Sequence, residues 1–121
     1  GDIYLMYAES VIRQGSGGDI ATAVDYINAL RKRGFDSNDQ DISAADLTLD
    51  FLFKERQREM YWEGTRRMDL IRAGKFTGNA YLWSLKGGVL EGTSVPHHMK
   101  LYPIPVDDLT VNPNLTQNPG Y

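Results

Sequence analysis

The sequence predicts a mainly α fold, and three observations predict it. Residues 2–33 carry two apolar runs at helical period with a glycine-rich break between them. Residues 47–76 repeat that period although they form the most charged stretch of the chain. The helical period then disappears, and all five prolines lie at or beyond Pro96. The expected architecture is a helical hairpin over 1–34, a charged, bent helix pair over 47–76 and a long irregular, proline-containing tail over 77–121.

The first helix is expected from Asp2 to Gln14, closed by Gly15. Ile3, Tyr4, Leu5, Met6, Tyr7, Ala8, Val11 and Ile12 make it apolar nearly all round, the pattern of a helix buried on several sides. Gly15-Ser16-Gly17-Gly18 is a flexible turn. Asp19 is a good N-cap for a second helix to Arg33, with Ile20, Ala23, Val24, Ile27 and Leu30 on one face. Arg31, Lys32 and Arg33 suit the negative end of the helix dipole, and Gly34 suits the C′ position. Two antiparallel helices of this size make one tetratricopeptide-like unit. A lone unit cannot bury both faces, so the first helix is expected to pack on a second copy, a neighbouring molecule or the folded-back tail.

Phe35 to Asp46 is a polar connector in which Ser43-Ala44-Ala45-Asp46 suits one helical turn. Thr48 is the expected N-cap of the third helix, Asp50 sits in its positive first turn, and Leu47 is placed to staple onto Leu52. With about 100° of rotation per residue, Leu49, Leu52, Phe53 and Met60 share one face. Arg56, Glu59 and Glu63 fall on that same face. A buried charge must be paired, and Arg66 and Arg67 lie just beyond. The expectation is a structural ion network of Arg56, Glu59, Glu63, Arg66, Arg67 and Asp69, with Arg56 mostly buried against a carboxylate. Gly64 ends or kinks this helix and Gly74 closes the next. In the tail, Pro103 and Pro105 alternate with Tyr102, Ile104 and Val106, which favours extended backbone. Pro105 suits the first position of a short helical turn, and the tail as a whole is expected to wrap the helices.

Composition excludes several functions. The net charge of −3 leaves no electrostatic footprint for nucleic acid, and interleaved glutamates cancel the field of Arg56, Arg58, Arg66, Arg67 and Arg72. Gly15-Ser16-Gly17-Gly18 lacks the Gly-Lys-Ser/Thr ending of a phosphate loop. His97 and His98 are adjacent without a cysteine or a spaced acid beside them, so no metal is expected. Glu55, Glu59 and Glu63 step by four, a spacing that brings carboxylates together as in glycoside hydrolysis. The five arginines nearby favour ion pairing instead, and no nucleophile–base–orienter set is present. No catalytic residue and no cofactor is expected. Tyr81, Trp83 and Lys86-Gly87-Gly88 form an aromatic, glycine-rich loop. Its rings suit either stacking on sugar or anchoring the tail. Asn114-Leu115-Thr116 fits a glycosylation acceptor, a pattern common by chance.

Three blocks of the sequence resemble one known family. Glu55-Arg56, Arg58-Glu59, Trp62-Glu63-Gly64, Arg66-Arg67-Met68-Asp69-Leu70-Ile71-Arg72 and Gly74-Lys75-Phe76 are similar to the C-terminal part of the SusD/RagB family. Tyr4-Leu5-Met6-Tyr7-Ala8-Glu9 resembles its last repeat helix. Leu101-Tyr102-Pro103-Ile104-Pro105 and Asn112-Pro113-Asn114-Leu115-Thr116-Gln117-Asn118-Pro119-Gly120-Tyr121 resemble its chain end. The resemblance implies the C-terminal region of a larger domain. It implies a bacterial outer-membrane lipoprotein, exposed at the cell surface, whose signal peptide and acylated cysteine would lie upstream of Gly1. It implies a non-catalytic binding protein for glycan or another nutrient, seated on a TonB-dependent outer-membrane transporter. The competing reading is a stand-alone helical protein-interaction module.

Overall fold

A computed structural model describes residues Gly1–Tyr121. The order is α1 (Asp2–Ile12), α2 (Ile20–Phe35), α3 (Leu49–Glu59), α4 (Arg66–Arg72), two single 3-10 turns at Lys86–Gly88 and His97–Lys100, and α5 (Val106–Val111). There is no strand, in agreement with the all-helical expectation. No helix is long and apolar enough to cross a membrane. The chain divides into two compact units, Gly1–Arg66 and Arg67–Tyr121.

In the first unit α1 packs on both α2 and α3. The core is Leu5 and Ala8 of α1, Ala23, Ile27 and Leu30 of α2, and Leu47 and Leu52 at the start of α3. Ala8 and Ala23 are fully buried, and such small side chains let helix backbones approach closely. Tyr26 stacks on Tyr4 with ring centroids 4.3 Å apart and meets Tyr7 edge-on at 5.1 Å. The polar connector is tied down by Asn28, whose amide accepts from the Ile42 N–H at 2.8 Å and donates to its carbonyl at 3.0 Å. One side chain thereby satisfies both backbone groups of a residue outside regular structure. Leu5 belongs to this core, whereas Ile3 and Met6 remain exposed on α1.

Both expected N-caps form. The Thr48 hydroxyl accepts from the Phe51 N–H at 3.2 Å, and the Asp19 carboxylate accepts from the Thr22 N–H at 2.9 Å. Two C-termini differ from expectation. α1 ends in a Schellman arrangement in which Gln14, not Gly15, takes the left-handed conformation (φ 63°). The Gln14 N–H donates to Val11 at 3.0 Å and the Gly15 N–H to Ser10 at 2.8 Å. Glycine is required at 15 for a different reason, since a Cβ there would meet the Ser10 carbonyl oxygen at 2.9 Å. α2 runs through Gly34 to Phe35, and the left-handed cap is Asp36 (φ 52°). The two extra residues place the Phe35 ring 5.2 Å from the Arg31 guanidinium, and aspartate tolerates that backbone better than most residues.

The Thr22 hydroxyl and then its N–H hold the Asp19 carboxyl below its ordinary value of 3.8. A carboxyl whose folded value is depressed contributes stability that is complete above its unfolded value and lost as pH falls through the folded one. Wild type is therefore expected to lose more stability than Asp19→Asn on acidification from about pH 5 to about pH 2. Denaturation midpoints across that range measure it, and equal acid slopes for the two proteins would contradict it.

In the second unit α4 closes on the expected glycine. Gly74 (φ 70°) donates to Ile71 at 3.0 Å and Lys75 to Leu70 at 2.8 Å, a Schellman cap. Pro105 is the N-cap of α5 and not its first helical residue. Between Pro103 and Pro105, which have no N–H, Ile104 is satisfied by a side chain. The Gln117 amide accepts from the Ile104 N–H at 2.8 Å and donates to its carbonyl at 2.9 Å. Asn118 donates to the Tyr102 carbonyl at 2.7 Å, and the Tyr121 hydroxyl to that of Leu101 at 2.8 Å. Gly120 (φ 97°) lies against the His98 ring, where a Cβ would come within 2.6 Å. Side chains of 117–121 thus replace a sheet partner for the extended segment 101–105.

Candidate functional site

The charged run pairs both within itself and with the other helices. Arg56 is half-buried, its side chain 12% exposed, and it pairs with Asp2 of α1 at 2.6 Å. Both oxygens of Glu59 accept from Arg33 of α2 at 2.6 Å. Arg66 lies 3.9 Å over the Phe53 ring and donates to the Gln57 amide oxygen at 2.8 Å. Asp69 is buried on α4 with Arg72 3.7 Å away. Glu63 is exposed and takes no place in a pair. Arg67 forms no ion pair. It donates to the Met99 and Lys100 carbonyls at 2.7 and 3.2 Å and lies 5.0 and 4.1 Å over the Phe76 and Tyr102 rings.

Glu55, which was not among the residues of the expected network, is as buried as Asp69. It is 5% exposed, accepts from Arg31 of α2 at 2.9 Å and accepts from Arg58 one turn along α3. Its decisive partner lies 24 residues away, so no local spacing signals it.

The aromatic loop has a different character. Residues 78–95 form a closed excursion. The Gly78 N–H donates to the Val95 carbonyl at its base (3.3 Å), Thr93 to Lys86 midway (2.9 Å) and Leu85 to Leu90 near the tip (3.3 Å). Gly92 (φ 76°) lets the returning segment pass Trp83, since a Cβ there would stand 2.4 Å from the Trp83 carbonyl oxygen. Tyr81 and Trp83 come together, ring centroids 5.5 Å apart and planes tilted by 53°. Trp83 is 41% exposed. The Lys75 ammonium stands 5.5 Å from the Tyr81 ring centre. Lys86 is only 3% exposed, its ammonium 4.7 Å from the Trp83 ring centre and 2.9 Å from the Tyr81 carbonyl oxygen. A half-buried tyrosine and an exposed tryptophan in contact are the kind of apolar ring surface that suits a ring-shaped polar ligand. The sequence placed Tyr81 and Trp83 in one loop but gave no sign that Lys86 is buried.

Tyr61 and Trp62 form a second exposed pair, 71% and 88% exposed and edge-on at 6.0 Å. Trp62 has φ 70°, in a turn closed by the Glu63 N–H on the Met60 carbonyl (3.1 Å). Glycine would be unstrained at that position.

The comparisons with known proteins agree with one another. The model of the SusD family matches residues 1–121. The starch-binding protein SusD of Bacteroides thetaiotaomicron is 46% identical over 120 residues, covering 99% of this chain and 20% of that protein. The SusD-like protein P25 of Formosa agariphila is 32% identical, covering 99% of this chain and 23% of that protein. Among solved structures, surface glycan-binding protein A from Bacteroides thetaiotaomicron superposes with a TM-score of 0.76 at 31% identity, over 98% of this chain and 23% of that one. Its complex with laminarihexaose gives a TM-score of 0.72 at 30% identity, over 97% of this chain and 23% of that one. The chain spans about a fifth of the length of the relatives it matches.

Proposed function

The chain belongs to the SusD family, and on that footing we propose that it is the C-terminal part of a larger, non-catalytic glycan-binding protein. The proposed protein is lipid-anchored at the outer face of the outer membrane and delivers glycan to a TonB-dependent transporter. Relatives named for starch and for surface glycan binding support the ligand class. Exposed Ile3 and Met6 on α1 support a larger domain, because a neighbouring helix of the same polypeptide would cover them. A lipoprotein signal encoded upstream and an adjacent transporter gene would support the anchor and the partner. A native start codon at Gly1 would refute both.

The observation that carries the ligand reading within this chain is the tilted, half-open pair Tyr81 and Trp83. Titration calorimetry with maltohexaose and laminarihexaose tests it. Trp83→Ala is expected to weaken binding about tenfold, or about 1.4 kcal/mol, and Tyr81→Ala to weaken it less. Unchanged affinity in Trp83→Ala, or no binding of either sugar by the wild-type chain, would remove the site.

The non-catalytic reading is supported by how two of the three candidate acids, Glu55 and Glu59, are held. Glu55 is held by Arg31 and Arg58, and both oxygens of Glu59 by Arg33. Carboxylate oxygens already occupied by guanidinium donors are poorly placed to exchange a proton with a substrate. No reducing ends are expected to appear on incubation with either oligosaccharide. Release that is lost in Glu59→Gln or Glu63→Gln would show an enzyme instead.

A further inference from the structure

We infer that Lys86 is the positioning residue of the Tyr81–Trp83 platform, holding both halves of it through one buried ammonium. The inference rests on the reading of that pair as a glycan platform. Lys86 is a 3% exposed cation whose ammonium takes part in no ion pair. Glu91, the only acid between Lys75 and Val95, is exposed. An ammonium withdrawn from water without a carboxylate is unfavourable, and an apolar chain of the same length would fill the space at lower cost. What the charge gains instead is two contacts. It donates to the Tyr81 carbonyl at 2.9 Å and lies 4.7 Å from the centre of the Trp83 ring. The hydrogen bond fixes the backbone that carries Tyr81. The cation–π contact holds the indole from the protein side, while Trp83 stays 41% exposed. The Lys86 backbone pins the same loop twice more, its N–H on the Trp83 carbonyl at 3.1 Å and its carbonyl taking the Thr93 N–H at 2.9 Å. Lys86 therefore sets the distance and tilt of the two rings without touching the sugar.

The test titrates maltohexaose and laminarihexaose into wild type, Lys86→Met, Lys86→Arg, Trp83→Ala and the Lys86→Met/Trp83→Ala double variant. Lys86→Met is expected to weaken binding about tenfold, Lys86→Arg no more than about threefold, and Lys86→Met in the Trp83→Ala background no more than about twofold. That non-additivity separates action through Trp83 from general loosening of the loop. Wild-type affinity in Lys86→Met beside a weakened Trp83→Ala would overturn the role of Lys86 and leave the platform standing. Full additivity would do the same. Unchanged affinity in Trp83→Ala would overturn the platform and this inference with it. Should Lys86→Met fail to fold, Lys86→Arg decides: near-wild-type affinity supports the inference, and a loss equal to that of Trp83→Ala refutes it.

Discussion

Replacing Glu55 by alanine is expected to remove about 3–5 kcal/mol of stability, the usual result of breaking one side of a buried ion pair. The Glu55 side chain is 7% exposed and that of Arg31 10%. Without Glu55 the Arg31 guanidinium keeps one hydrogen bond to the Gln40 carbonyl and the flanking rings of Phe35 and Phe51, at 5.2 and 5.6 Å. Those rings hinder its escape to water, so the stranded charge is the main cost. Arg58, the other donor to Glu55, is 56% exposed, and Arg58→Ala is expected to cost less than about 1 kcal/mol. The combined change Arg31→Met/Glu55→Leu removes both charges and should recover most of the loss. Urea unfolding followed by helical circular dichroism measures the series. A Glu55→Ala loss below about 1 kcal/mol would show that the pair is screened by water.

That pair also marks how far the sequence was legible. Features set within about four residues could be read directly. Asp19 and Thr48 cap their helices because the acceptor and the N–H it satisfies are three residues apart. Gly74 closes α4 because the cap needs a left-handed residue at that offset. Features set by distant partners could not be read. The helical wheel put Arg56 on the apolar side, but its carboxylate comes from Asp2, 54 residues away. Glu63 satisfied the same wheel and is exposed, because periodicity carries no information once α3 has ended at Glu59. Gly34 looked like a helix stop, yet the helix continues because Phe35 gains a contact with Arg31. In the aromatic loop, Tyr81 and Trp83 were visible as residue types. Their meeting depends on Lys86, and a lysine beside two glycines reads as solvent-exposed until the loop is closed around it.

Arg67→Ala is expected to cost the second unit about 3 kcal/mol. Arg67 replaces ion pairing with two other interactions. Its donations to the Met99 and Lys100 carbonyls, at 2.7 and 3.2 Å, are charge-assisted bonds worth roughly 1.5–3 kcal/mol each. Its positions 5.0 and 4.1 Å over the Phe76 and Tyr102 rings add about 0.5–1 kcal/mol each, at the exposed end of the range because Tyr102 is 70% exposed. The terms share one group and do not add in full, which sets the expectation below the lower end of their sum. The same guanidinium ties α4 to the segment that Gln117, Asn118 and Tyr121 also hold, so its loss should loosen the tail before α4 unfolds. Arg67→Lys separates charge from shape. A lysine supplies donors for the carbonyls but no planar group to lie over two rings, so it should recover less than about half of the loss. The chain has two tryptophans, one in each unit. In a Trp62→Phe background, Trp83 emission therefore reports the second unit alone. A midpoint for Arg67→Ala equal to wild type, or full rescue by lysine, would show that the tail is held by its own side-chain hydrogen bonds and that Arg67 is dispensable.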